Sequence, residues 1–220
     1  MAKITPKSIL KQNRKEKKIT EKNLEQKASS DNVSDAMKNI FNISGVIEGI
    51  KPIDNSFKVV GRIRTAQTDS NDWGTLIKAI YECKEDEILF VKCSDDKKAV
   101  WGEMASTAAL KNKLKATVIF GASRDTNEIK DLGYKVFSKT TRSNAGLPSY
   151  EGTIGEDIII DDRIIKTGDL LIGDSDGVVI VSQDDVDTIL KEVNNIKKFE
   201  DKCIKKLVDE DLNLDDILGI

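Results

Sequence analysis

Apolar positions along this chain change their spacing several times, and each change marks an element. Behind Ser30, Asp31 and Asn32, apolar residues recur at helical spacing from Val33 through Ile40 and Phe41. This predicts a short helix with several candidate N-cap residues, Asp35 among them. Phe57 to Ala66 alternates as a strand does, Trp73 to Tyr81 looks helical, and Ile88 to Cys93 is a compact apolar strand. The middle of the chain is the most legible part. Gly102-Glu103 opens a helix from Met104 to Leu114, Ala116 to Phe120 is a buried strand, and Gly121-Ala122-Ser123-Arg124-Asp125 is a loop. Thr126 then caps a helix through Leu132, and Tyr134 to Phe137 is a further strand, which together make a βαβ-type unit.

Beyond that unit come short strands at Asp157 to Ile160, Arg163 to Ile165, Leu170 to Ile172 and Val178 to Val181. The turn sequences Ile160-Asp161-Asp162-Arg163 and Gly173-Asp174-Ser175-Asp176-Gly177 join them as hairpins. They predict a small antiparallel layer or barrel added to the α/β part. A long charged helix runs from Asp184 to about Leu207 and is followed by an acidic tail.

The 220 residues, 39% hydrophobic and 33% charged, suit one main domain. The predicted division is a basic N-terminal extension at 1–28, the α/β domain at 29–190, and a helix with an acidic tail at 191–220. The net charge of -3 lacks the basic field that non-specific nucleic-acid binding draws on. Charge is unevenly spread, because residues 1–27 carry nine Lys/Arg and three Glu, a net +6. Two readings of that segment stay open, a solvated tail or surface helix and a docking arm for an acidic partner or RNA. Histidine is absent, which removes Ser-His and Cys-His nucleophile pairs and every imidazole metal site. Cys83, Cys93 and Cys203 show no paired spacing and read as reduced thiols of a cytoplasmic protein. No apolar run approaches the roughly 20 residues of a membrane span.

Candidate chemistry lies in the central unit. A helix N-terminus behind glycine exposes backbone N–H groups and partial positive charge, so Gly102-Glu103-Met104-Ala105 can cradle a carboxylate or phosphate. Arg124 follows a buried strand and can project at its carboxyl end, where open α/β sheets place ligands. Asp125 beside it can hold a hard divalent cation. Cradle, guanidinium fork and carboxylate together describe a site for a 2-oxo acid. The same residues also admit plain capping and a surface ion pair. Asp174 and Asp176 have part of a Ca²⁺-loop spacing but suit a tight hairpin turn, Arg142 lies in a polar loop, and Trp73 and Trp101 read as packing residues.

Four stretches resemble the RraA-like family: Trp101-Gly102-Glu103-Met104-Ala105, Gly121 to Asp125, Leu132 to Phe137, and Thr167 to Val181. That family holds 4-hydroxy-4-methyl-2-oxoglutarate aldolases and regulators of ribonuclease E activity, and the resemblance runs from about Ser29 to Leu190. The aldolases' spaced signature is an acid, twenty residues, then Arg-Asp; here Glu103 is followed by Arg124-Asp125 at that spacing. Ala99 stands where the fuller signature has glycine.

The resemblance implies a layered β/β/α, swivelling-domain-like α/β fold with antiparallel hairpins, assembled as a homotrimer or hexamer. It implies a lyase on small 2-oxo acids, cleaving 4-hydroxy-2-oxo acids to pyruvate and decarboxylating oxaloacetate through an enolate stabilised by Mg²⁺ or Mn²⁺. Carried over, Gly102, Glu103, Met104, Ala105 and Arg124 bind substrate, Asp125 holds the metal, and Arg124 and Glu103 are catalytic, Glu103 through a metal-bound water. Asp35 is then a candidate for a neighbouring subunit's site and Arg142 for a substrate contact. The alternative is a non-catalytic regulator of an RNA-processing enzyme. No glycine-rich methyltransferase loop is present, which argues against that chemistry.

Overall fold

The computed structural model of the protein describes residues 28–210 and 212–220; the basic segment 1–27, with its tail or docking-arm readings, lies outside the described residues. In chain order the elements are α1 (Ser30–Phe41), β1 (Lys51–Pro52), β2 (Val59–Thr68), α2 (Gly74–Glu82), β3 (Ile88–Cys93) and β4 (Ala99–Trp101). Then come α3 (Glu103–Lys111), β5 (Ala116–Ser123), α4 (Thr126–Leu132), β6 (Lys135–Thr141), β7 (Thr153–Ile154), β8 (Ile158–Ile160) and β9 (Arg163–Ile165). The chain finishes with β10 (Leu170–Asp174), β11 (Gly177–Val181), α5 (Val186–Asp209) and α6 (Leu214–Leu218).

The continuous apolar runs become parallel strands buried on both faces, as such runs should. Strands β2, β3, β5 and β6 lie side by side in parallel, with β4 paired to the far end of β5. The sheet continues antiparallel on both sides, giving the order β1-β6-β5-β3-β2-β10-β11, with β7 also on β2. The segment leading into β1 nearly closes it. Val46 pairs with Val179 of β11, while Lys51 and Pro52 pair with Ser138 and Phe137 of β6, so one short stretch touches both edges. The predicted antiparallel addition is therefore no separate layer at β10 and β11, which extend the main sheet. Among the described residues, only the β8–β9 hairpin stands as its own two-stranded sheet.

Side-chain alternation divides the interior into three cores. Leu89 and Val91 of β3 face a core with Leu76 and Ile80 of α2, Trp101 of β4, Ala105 and Ala109 of α3, and Ile129 of α4. Ile88 and Phe90 of the same strand point into the curl of the sheet with Ile63, Phe137, Leu171 and Ile180, sealed by Ile158, Ile160 and Ile165 of the hairpin. Val60, Leu170, Ile172, Val179 and Val181 face outward under α1 and α5. Every strand of the curl is thus covered, and truncating a fully buried Phe90 or Trp101 would cost about 3–5 kcal/mol.

Two expectations change at α1. Asp35 sits exposed in mid-helix and caps nothing, and Ser29, at the N-cap position, makes no side-chain cap bond. A distant carboxylate replaces them: Ser30 donates through its N–H (2.8 Å) and its hydroxyl (2.6 Å) to Asp174. Asp174 also accepts from the Asp176 N–H at 3.1 Å, and its pairing opposite Gly177 makes a two-residue hairpin turn. Its oxygens serve the turn and the helix, as the hairpin reading requires. The three cysteines are free and buried, and burial pushes the thiols of Cys83 and Cys93 up to about 12, so neither is a nucleophile. No helix among the described residues is long and apolar enough to cross a membrane.

Candidate functional site

Strands β4 and β5 run parallel with Trp101 opposite Ser123, so their carboxyl ends stop side by side. The Arg124 N–H donates to the Trp101 carbonyl at 2.9 Å and locks that register into the loop. The residues just past each strand are therefore brought together: Gly102-Glu103 after β4 and Arg124-Asp125 after β5. The twenty intervening residues are α3, its exit turn and β5, the length of one helical crossover.

Gly102 is the N-cap of α3 in an extended conformation any residue adopts, so its lack of a side chain answers to space. A Cβ there would collide with Asp125 Oδ2 and come within 3.2 Å of Arg124 Cγ. Trp101 Nε1 donates to Ser106 Oγ at 2.8 Å, and Ser106 Oγ donates to the Gly102 carbonyl at 3.0 Å, which pins the first turn. The Asp125 carboxylate lies against this helix start, where its Oδ2 accepts the Glu103 N–H at 3.1 Å. Arg124 Nε stands 3.5 Å from the same oxygen. Asp125, rather than Thr126, occupies the N-cap position of α4, at φ 55 and ψ 45. That left-handed conformation costs about 1 kcal/mol or more in a non-glycine residue, an expense common where geometry serves a site. Arg124 and Asp125 keep 45% and 37% of their side chains exposed, in contrast to the core around them.

All six residues proposed from the sequence, Gly102, Glu103, Met104, Ala105, Arg124 and Asp125, line one cavity of about 320 Å³. Met104 is 86% exposed at its rim and Ala105 is buried beneath. Arg142 is not among the lining residues; its Nε donates to the Asp96 carbonyl at 3.1 Å. Asp35 lies on α1, which contributes nothing to this cavity. Trp73, expected only to pack, lines the cavity together with Ile77, Glu128 and Ala145, none of which the sequence pattern singles out. Trp73 and Ile77 are one helical turn apart, a spacing that could have flagged them.

The wall bearing Trp73 depends on another aspartate that sequence reasoning missed. Asp72 is 2% exposed, and its Oδ1 accepts from the N–H groups of Gly74 (2.8 Å), Ser149 (3.0 Å) and Tyr150 (3.1 Å). Its Oδ2 accepts from the Glu151 N–H and the hydroxyls of Thr68 and Thr75. Burial alone would raise its pKa; the bonds from Thr75, Tyr150, Glu151 and Thr68 outweigh that and hold it far below the usual 3.8. Trp73 Nε1 donates to the Gly146 carbonyl at 3.0 Å, and at Gly146 any Cβ would strike the Asn71 backbone, so the 145–151 loop is clamped onto the start of α2. The Asp-x-Gly-Thr run at 72–75 was the available signal.

Among the described residues no group of three or more Asp, Glu, His or Cys side chains is placed to hold a metal ion. One carboxylate still fits a hard cation that takes most of its ligands from water and substrate, as Mg²⁺ commonly does. Asp125 Oδ1, which receives no hydrogen bond from the described residues, leaves that capacity open. The arrangement could thus offer an anion the start of a helix and a guanidinium, and a hard cation one carboxylate, at the ends of two adjacent parallel strands.

A model of the RraA-like family (Aldolase/RraA) matches residues 30–180, and the chain belongs to that family. It is 35% identical over 177 residues to an uncharacterized protein of Methanocaldococcus jannaschii, covering 79% of this chain and 85% of that one. It is 26% identical over 181 residues to a protein of Halalkalibacterium halodurans named as a candidate 4-hydroxy-4-methyl-2-oxoglutarate aldolase, covering 82% and 84%. Its fold is similar to that of Streptomyces coelicolor RraAS2, described as an unusual member of the RNase ES inhibitor RraA protein family. That match has a TM-score of 0.73 at 18% identity and covers 86% of this chain and 98% of that one. The layered α/β fold is the family's.

Proposed function

We propose that the protein is a divalent-metal-dependent carbon–carbon lyase that releases pyruvate from 4-hydroxy-2-oxo acids, with decarboxylation of oxaloacetate as the companion reaction. The observation that carries this reading is the junction of Gly102-Glu103 with Arg124-Asp125 across the β4–β5 strand ends. The N–H groups of Met104 and Ala105 have no helical partner in the first turn and are the ones left for a substrate carboxylate. Arg124 pairs with the same carboxylate and holds the 2-oxo group in register. Asp125 is the residue that would hold Mg²⁺ or Mn²⁺, and such a cation supplies Lewis-acid stabilisation of the negative charge that develops as the bond breaks. Glu103, exposed beside them, relays the proton through an ordered water. The chain carries no histidine, so the base falls to a carboxylate, and Glu103 stands next to the helix start that would receive the substrate. A homotrimer or hexamer in the cytoplasm completes the proposal.

The second reading, a regulator that binds an RNA-processing enzyme, is favoured by the fold likeness to RraAS2, but a shared fold leaves function open. Pyruvate release with Mg²⁺ or Mn²⁺, with a chelator, and from Arg124→Ala and Asp125→Ala decides between them. Chelator-sensitive release lost in both variants supports the lyase; no release above the metal-only background from any 2-oxo acid sinks it and turns attention to partners of residues 1–27.

A further inference from the structure

We infer that residues 1–27 dock on this chain's own C-terminal end, across the later turns of α5 and α6, so that the acidic partner of the basic arm lies in the same molecule. None of the residues of that surface lines the β4–β5 cavity, so the docking stands or falls apart from the lyase reading. An apolar stripe at three- and four-residue spacing follows α5 through its whole length, from Val186 to Val208. Its covering does not. Ile189, Leu190 and Val193 are buried in the core shared with α1, and Cys203 is the last buried residue of the stripe. Ile204 and Val208, on the same side of the helix, are 58% and 75% exposed. The α6 helix, which packs against this end of α5, adds the exposed Leu214 and Leu218. Contiguous exposed apolar surface of this kind marks an interaction site.

The course of α1 decides which segment reaches it. Asn32 donates to Glu200 at 3.1 Å and Asn39 to Glu192 at 3.1 Å, so α1 runs antiparallel to α5 with its start against the Glu200 turn. Ala28 is buried at that start, in the same core. Chain continuing upstream of Ala28 in the direction of α1 meets Ile204 and Val208, which lie about 6 and 12 Å farther along α5. Charge agrees with this placement. Residues 1–27 carry a net +6, whereas residues 207–220 hold five Asp or Glu and no Lys or Arg. Asp209, Glu210, Asp215 and Asp216 are exposed, and Lys202, Lys205 and Lys206 fall off the apolar stripe. Ile4, Ile9, Leu10, Ile19 and Leu24 supply the arm's apolar counterpart. A segment tethered at Ala28 meets this surface at an effective concentration on the order of 1 mM, which favours its own chain over a second copy at micromolar protein.

A zero-length carbodiimide applied to the full-length protein tests this, since it joins a Lys amine to a carboxylate only where the two touch. Mass spectrometry then reads the links separately from the monomer and dimer bands of a denaturing gel. Lysines of 1–27 should be joined to Asp209, Glu210, Asp215 or Asp216 in the monomer band, at least about fivefold more often than to exposed acids elsewhere, such as Glu85 and Asp162. Raising NaCl from about 0.05 to about 0.5 M should lower the yield about threefold, because exposed charge pairs are screened. The double variant Ile204→Asn, Val208→Asn, at two exposed positions, should lower it by about the same factor with the far-UV circular dichroism unchanged. Links found chiefly in the dimer band would make a second copy the occupant and overturn the inference. So would links spread evenly over the surface acids, no links to 209–216, or a yield that either the salt or the double variant leaves unchanged.

Discussion

Two aspartates, Asp125 lining the cavity and Asp72 behind its Trp73 wall, have opposite surroundings. Asp72 is sealed from solvent, with both oxygens saturated by backbone N–H groups and hydroxyls from 68–75 and from 149–151. Asp125 is more than a third exposed, held in a left-handed conformation, and accepts one hydrogen bond from the described residues. A carboxylate with every lone pair occupied can organise a loop and do no chemistry. One with unoccupied lone pairs at a mouth, beside a guanidinium and a helix start, is equipped for ligands. The contrast separates scaffold from site without any appeal to what the relatives do.

The sharpest break of that contrast is Asp72→Ala. It strands several buried N–H donors and should lower unfolding free energy by about 3–5 kcal/mol, read by denaturant titration. Loss of cavity function should accompany it as the 145–151 loop comes free. Next, Arg124→Ala should lower turnover by about two to three orders of magnitude while leaving stability within about 1 kcal/mol, since the side chain is half-exposed. If Arg124→Ala unfolds the protein instead, the division into scaffold and site is wrong.

The pH dependence sharpens the comparison further. The Asp72 pKa is depressed in the folded state, so its contribution is complete above the ordinary value of 3.8 and drains away as pH falls below about 4. The stability gap between the parent and Asp72→Asn should therefore narrow as pH drops from about 5 to 2. A gap that stays constant would show that neutral hydrogen bonding, not the charge, clamps the loop. Gly102→Ala is smaller in stability, about 1–2 kcal/mol, because Asp125 can swing away, yet it should weaken substrate binding by displacing that carboxylate. The smallest effect is a null one: Cys83 and Cys93, with thiols pushed to about 12, should resist alkylation at pH 8 until the protein unfolds.

Much of the molecule is legible in its sequence because it is local. The strand, loop and helix around 101–125 announce themselves by apolar runs punctuated by glycine, and a twenty-residue spacing is a covalent quantity. Trp101 packs as its context predicts, since its indole N–H is spent on Ser106 inside the core. The misses share a cause. The cap of α1 comes from Asp174, 144 positions away, and no window around Asp35 contains it. Thr126 looks like a cap because hydroxyls commonly are, whereas the fold places Asp125 there to face α3. Asp72 draws three of its donors from 149–151, so only its Thr68 and 74–75 partners are visible locally.

What the sequence by itself determined is most of the longer elements, the absence of imidazole chemistry, and that Gly102-Glu103 opens a helix while Arg124-Asp125 follows a buried strand, because periodicity and covalent distance are properties of the chain; the short strands β1, β4 and β7 left no such pattern. Only the tertiary structure decided that β4 and β5 lie parallel and in register, so that Glu103 and Asp125 meet across a 3.1 Å hydrogen bond. It also decided that Trp73 and Ile77 form the apolar wall and that Asp72 is closed while Asp125 is open. Those outcomes depend on which surfaces hydrophobic burial brings together, a many-body choice that no stretch of the chain encodes alone.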